Sequence, residues 1–233
     1  MKIRLWLSVL ATTAIFATVS TPSGAATPTP YAQMKAVLAD ANAELSVRVT
    51  TTALMAGKRV VEVTNAGRND GRQTVTLTQA GTTDSVTAEL IAGNLYVNGD
   101  VTMLTTFMGL TPANASELAG QWFGIARTSS YWSHVAEGLT VSTGMAEVRM
   151  NPSVTSAPAG TRAGVKVDAL KGTSVSSLLQ PAYHETLFFS TAKRPLPVEV
   201  TQSAGSSSGT IVFSNWNETI ALTPPTGVSL YLN

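Results

Sequence analysis

The chain has 233 residues, no cysteine, and 15 Lys and Arg against 14 Asp and Glu. The absence of cysteine excludes disulfides, thiol catalysis and thiolate metal sites. A near-neutral chain with scattered signs also lacks the electrostatic footprint for nucleic acid and the polybasic patch for anionic lipid, so any partner must be held mainly by shape and apolar contact.

In chain order, Lys2 and Arg4 precede an uncharged run over residues 5–19, and "TPSGAATPTP" then supplies small residues suited to a signal peptidase. Residues 1–26 are therefore expected to be a signal peptide cleaved after Ala25 or Ala26. The apolar run is shorter than the roughly 20 residues of a spanning helix, which points to a secreted, extracytoplasmic protein. Removing 26 residues leaves 207, the size of one ordinary domain with its own core. Residues 27–30 read as a Pro/Thr leader and residues 31–233 as a single domain.

Tyr31, Met34, Leu38, Ala41 and Leu45 recur at three- and four-residue steps, with Lys35, Asp40 and Glu44 off that stripe, which predicts one amphipathic helix. After Leu45 the period drops to two. "SVRVTTTALMA", "RVVEVTNAG", "RQTVTLTQAG" and "DSVTAELIAG" alternate apolar with polar residues between turn signals, which predicts an antiparallel meander. In "QTVTLTQ", Val75 and Leu77 share one face and Thr74, Thr76 and Thr78 the other, leaving that second face mild rather than charged.

Residues 100–150 interrupt the meander and hold Phe107, Trp122, Phe123, Tyr131 and Trp132. "DVTMLTTFMGL" predicts a short helix capped by Asp100, "TPANASELAG" a second capped by Thr111 with Pro112 first and Gly120 last, and "SSYWSHVAEGL" a third that brings Trp132, Val135 and Leu139 together. Helices this short do not persist alone and must lie on the sheet. Residues 151–164 read as a loop. Strands return as "GVKVDALKG", "HETLFFSTA", "PLPVEVTQ", "GTIVFSNW" and "ETIALT", with "SAGSSSG" as a hairpin tip. The sum is an α+β architecture, one many-stranded sheet with a helical insertion.

Catalytic motifs are few. "STAK" places Ser190 and Lys193 in a Ser-x-x-Lys spacing, but it follows a strand and runs into "RPLP", which no helix interior tolerates, so the pair is not expected to converge. His134 and His184 are the only imidazoles, and "HETLF" lacks the second histidine of a zincin. The carboxylates show neither an EF-hand spacing nor a clustered pair. No enzyme, cofactor or metal site is expected. The sequons at Asn114 and Asn217 are common by chance. The methionine-rich, aromatic insertion remains, and it fits either an ordinary core or a cover over an apolar site, because thioether side chains re-pack around variable shapes.

The succession "GNLYVNGD", short apolar helix, "ASELAGQWFGI", aromatic helix ending "AEGLTV", then "KRPLPVEVT" and "GTIVFSNWNETIALTPPTG" resembles the actinobacterial LppX/LprG/LprF type of envelope lipoprotein. That type is related in fold to the LolA and LolB lipoprotein carriers and to the sensor domain of RseB. The resemblance runs from about Tyr31 to Gly227 and rests on element order rather than catalytic residues. It implies a strongly curved antiparallel half-barrel whose concave face is closed by helices around a hydrophobic cavity. It also implies a monomeric carrier of acylated lipid or lipoprotein that makes transient membrane contact. Carried onto this chain, the lid is residues 100–110 with its neighbours. The ligand-binding set is Leu90, Leu95, Val97, Leu104, Phe107, Met108, Leu118, Trp122, Trp132, Phe188 and Phe213. The lipobox cysteine of the type is missing from "TPSGAATPTP", so no lipid anchor is expected. The alternative is an envelope sensor or protein-interaction module of the same fold that transports no lipid.

Overall fold

The computed structural model describes residues 27–146, 148–174, 183–228 and 231–232. The expected signal peptide lies outside the described residues. The first helix, α1 (Pro30–Asn42), is followed by five strands: β1 (Ser46–Met55), β2 (Lys58–Gly67), β3 (Gly71–Gln79), β4 (Thr82–Ile91) and β5 (Asn94–Gly99). The insertion then contributes α2 (Val101–Met108), α3 (Pro112–Leu118), β6 (Phe123–Ile125), α4 (Trp132–Ala136) and α5 (Val141–Met145). A second run of strands follows, β7 (Thr155–Arg162), β8 (Val165–Ser174), β9 (Tyr183–Ser190), β10 (Pro197–Ala204) and β11 (Ser207–Ser214), and the short β12 (Tyr231–Leu232) is last.

The twelve strands among the described residues form one open sheet in the order β12-β6-β5-β4-β3-β2-β1-β11-β10-β9-β8-β7. It consists of two antiparallel meanders, β1 to β5 and β7 to β11, joined where β1 pairs with β11. β12 pairs with β6 in parallel. The sheet curves into a half-barrel with the helices on its concave side.

Local chemistry explains the turns. Four hairpins use an Ala-Gly pair with both residues at positive φ: Ala56-Gly57, Ala80-Gly81, Ala92-Gly93 and Ala163-Gly164. This is the mirror-image turn whose twist matches the flanking strands, and glycine supplies the second left-handed position without steric cost.

Two hydrophobic clusters fill the concave side. The first joins β3 to β6 with the insertion, through Val75, Leu77, Val86, Leu95, Leu104 and Leu139 among others. The second joins α1 and α5 to β1 and β8 to β11, through Met34, Val37, Val47, Met145, Leu187 and Phe189 among others.

The structure departs from the sequence expectations at several elements. In α1 the buried stripe is Met34, Val37 and Ala41, while Leu45 lies beyond the helix end and is 60% exposed. The expected loop at 151–164 contains the edge strand β7; Pro158 and Gly160 hid it, and both fall where its pairing with β8 shifts register. "ETIALT" forms no strand. "SAGSSSG" is a hairpin tip between β10 and β11, as expected. The short β6, α5 and β12 were not foreseen, since three to five residues carry too little periodicity.

Candidate functional site: a helical cover and a polar seam on the concave face

The cover is built from capping chemistry. Asp100 begins α2 by accepting the Met103 amide at 2.9 Å through Oδ1, while its Oδ2 takes the Ser85 amide of β4. One carboxylate therefore starts the helix and fastens it to the sheet. Gly109, at φ 73°, ends α2. Thr111 caps α3 as expected, with Pro112 in the first turn, although the C-cap is Ala119 rather than Gly120. Gly120 donates its amide to the Gly99 carbonyl at 2.9 Å, returning the chain to the sheet.

The far end of α2 is held by α4. His134 Nε2 lies 2.9 Å from the Phe107 carbonyl oxygen, and the two rings sit 5.6 Å apart. Arg127 donates to the Gly93 carbonyl and places its guanidinium 5.3 Å from the Trp132 ring.

This arrangement gathers Leu90, Leu95, Val97, Leu104, Met108 and Leu118 in one cluster, with Phe107 and Trp132 packed against it. Leu104 and Val97 have no exposure at all, so the protein's own side chains occupy the space under the cover. The other three expected residues lie elsewhere. Phe213 belongs to the second cluster, stacked on Trp216 at 6.3 Å. Trp122 is half-buried between α3 and β6, outside the residues that make up either cluster. Phe188 is corrected to the opposite face: strand alternation turns Glu185, Leu187 and Phe189 to the concave side, and Phe188 packs with Val167, Ala169 and Val198 beneath the Arg162 guanidinium, 4.2 Å from the ring centroid.

Between the two clusters runs a polar seam. On β2 the concave positions are Val60, Glu62, Thr64 and Ala66, paired across β1 with Ala53, Thr51, Val49 and Val47. Glu62 Oε1 accepts from Gln73 Nε2 at 3.0 Å and from Thr64 Oγ1 at 3.3 Å. Desolvation raises its pKa above 4.5, and those two hydrogen bonds offset the rise only in part. Glu62, Thr51 and Thr64 line a gap of about 20 Å³ whose other walls include Ile211, Phe213, the turn at Gly138 and Gly144 of α5.

A second carboxyl lies in the same face. Glu185 is 1% exposed, and its register neighbours are Gly172 on β8 and Gln202 on β10. Burial pushes its pKa to about 7, while Ser174 and Gln202 pull it down somewhat. Neither oxygen has a partner in true hydrogen-bond geometry among the described residues. Neither carboxyl was singled out from sequence, although Glu185 is the one charge among the inward positions of β9 and Glu62 shares the inward parity of β2 only with the exposed Lys58 at its start.

A wider hollow of about 260 Å³ is polar. It lies where Arg48, Asn65 and Arg72 meet the tail at Glu218 and Ile220, and Arg72 is already paired with Glu89 at 2.9 Å.

Ser190 and Lys193 do not form a catalytic pair. The Ser190 hydroxyl accepts the Leu196 amide at 3.0 Å, and Lys193 is exposed. Arg194 beside them clamps the end of α1 through Glu44 at 2.7 Å and Asp40 at 3.6 Å. His184 is exposed on β9. Among the described residues no group of three His, Asp or Glu converges to hold a metal, and no helix is long and apolar enough to cross a membrane.

Comparison of the whole fold with solved structures finds the lipoprotein LppX of Mycobacterium tuberculosis at a TM-score of 0.53 and 15% identity, covering 83% of this chain and 98% of that one. LprF from Mycobacterium bovis superposes at a TM-score of 0.55 and 10% identity, covering 85% of this chain and 97% of that one. The chain has the LppX/LprF fold. No protein-family model and no curated protein matches the sequence.

Proposed function

We propose that this protein is a secreted or envelope-associated, non-enzymatic carrier that holds acyl chains between the curved sheet and the helices of the insertion. The observation that carries this reading is the make-up of the cover. Three helices of eight, seven and five residues bury Met103, Leu104, Met108, Leu118 and Val135 against the sheet, and polar links hold them at a few points. Short helices lose their order when lifted from the sheet and regain it when they dock. An acyl chain slipped beneath them would replace side-chain contacts with contacts of the same kind. Each buried methylene is worth about 0.8 kcal/mol, so a sixteen-carbon chain gains on the order of 10 kcal/mol before ordering costs. The lipoprotein LppX, whose fold this chain shares, supports an envelope setting.

Native mass spectrometry of the protein purified from its own host tests this reading. Co-purifying lipid of defined mass is the expected result, and repeated lipid-free spectra overturn it.

The close packing under the cover favours a second reading, an envelope sensor or interaction module that receives a protein segment on the same face. Lipid-free spectra together with a stoichiometric protein partner captured from envelope fractions would select it.

A further inference from the structure

The seam interrupts an otherwise largely apolar surface at the point where the two hydrophobic clusters meet. Glu62 is placed there by the parity of β2, which turns Val61 and Val63 outward and Glu62 and Thr64 inward. A carboxyl is costly at such a position unless something satisfies it. Protein groups do half of this. Gln73 and Thr64 both donate to Oε1, while Oε2, on a half-buried side chain open to the gap, meets no protein donor among the described residues. The gap that Glu62 lines has room for about one oxygen-sized group, and Thr51 and Thr64 are its other polar side chains. Val49, Val148, Ile211 and Phe213 make the rest of the wall apolar, as suits the root of an acyl chain.

Resting on the carrier reading above, we infer that Glu62, with Thr51 and Thr64, forms a seat for an alcohol hydroxyl of the acylated guest. The chemistry favours a hydroxyl over the alternatives. An ester carbonyl only accepts and satisfies the carboxyl only when it is protonated. An ammonium only donates and needs the ionised form. A hydroxyl donates to the carboxylate, accepts from the carboxylic acid, and exchanges a further hydrogen bond with a threonine. It also fits a gap too small for a phosphate or a sugar ring. The guest is therefore a lipid with a free alcohol next to its acyl chains, as in a diacylglycerol.

The test compares binding of 1,2-dipalmitoylglycerol with that of its 3-O-methyl ether, both offered in detergent micelles to the full mature chain and to Glu62→Leu and Glu62→Gln. The wild type is expected to prefer the free alcohol by about tenfold, the worth of one hydrogen bond to a buried polar group. Glu62→Leu should bind both lipids with a ratio near one, and Glu62→Gln, whose amide still donates and accepts, should keep part of the preference. Thermal melting of each variant confirms that it is folded. Equal binding of the two lipids by the wild type, or an unchanged preference in Glu62→Leu, overturns the seat and leaves the carrier reading standing. Failure of the wild type to take up either lipid also overturns the seat, while the carrier reading falls only with lipid-free native spectra.

Discussion

Replacing Glu185 with glutamine removes a charge that the sheet has little means of solvating. The carboxyl is 1% exposed, and Val154 and Met150 lie against Gly172, its neighbour across the strand pair. Burial raises its pKa from 4.5 to about 7. The folded chain therefore keeps this proton over a range in which the unfolded chain has released it. The resulting stability is fully present below about pH 4.5 and is lost as the pH rises through about 7. A shift of that size corresponds to on the order of 3 kcal/mol between the two limits. In Glu185→Gln the side chain is neutral at every pH, and this part of the slope disappears. Urea unfolding at pH 5 and pH 8 reads the difference. At pH 5 the two chains should unfold at similar midpoints. At pH 8 the variant should unfold about 1 M later, given slopes of roughly 3 kcal/mol/M for a chain of this size. Glu62 also titrates upward, but it is common to both chains and cancels in the comparison. If the two chains lose the same midpoint between pH 5 and pH 8, Glu185 is solvated in solution and the reasoning fails.

Leu104→Ala removes a side chain with no exposure from the centre of the cover, and chemical denaturation should show a loss of about 3 kcal/mol. Gly71→Ala should cost at least as much, because an added Cβ would stand 1.9 Å from the Leu139 carbonyl oxygen, a backbone atom with no side-chain freedom to yield; a melting temperature within a degree of the wild type would contradict this contact. Ala80→Asn should instead stabilise by about 0.5 kcal/mol, since Ala80 sits at φ 50° in the turn before Gly81, where asparagine tolerates the left-handed region better; calorimetry checks the sign.

The elements read most easily from sequence were those whose local chemistry and tertiary role agree. Asp100, Thr111 and Pro112 mark helix starts by hydrogen-bonding logic that needs no distant partner, and α2 and α3 begin where they indicate. The first meander was legible because the Ala-Gly turns punctuate strands of regular length. β7 was not, since it lies at the sheet edge, where alternation is not enforced by burial and a proline is tolerated. Face assignment was the hardest step. "VVEVT" offers Val61 and Val63 as the natural inward pair, yet the register with Val75 and Thr51 turns Glu62 inward instead. Phe188 failed for the same reason. In "TLFF" both aromatics are buried, one on each face, so burial alone cannot fix the parity.

The parity of β2 is where the candidate site acquires its character. With Val61 and Val63 inward, the two hydrophobic clusters would merge into one, and the cover over β3 to β6 could not lift without disturbing α1 and α5. With Glu62, Thr64 and Gln73 inward, a polar strip divides them, and each cover is cohesive mainly with its own meander. Lifting α2 then exposes the first cluster and leaves the second, with its ten-residue strands β1 and β8, to hold the sheet together. On the proposed carrier reading, a half-buried carboxyl at this boundary would confine opening to one half of the molecule, and a guest filling that half would reach the same residue.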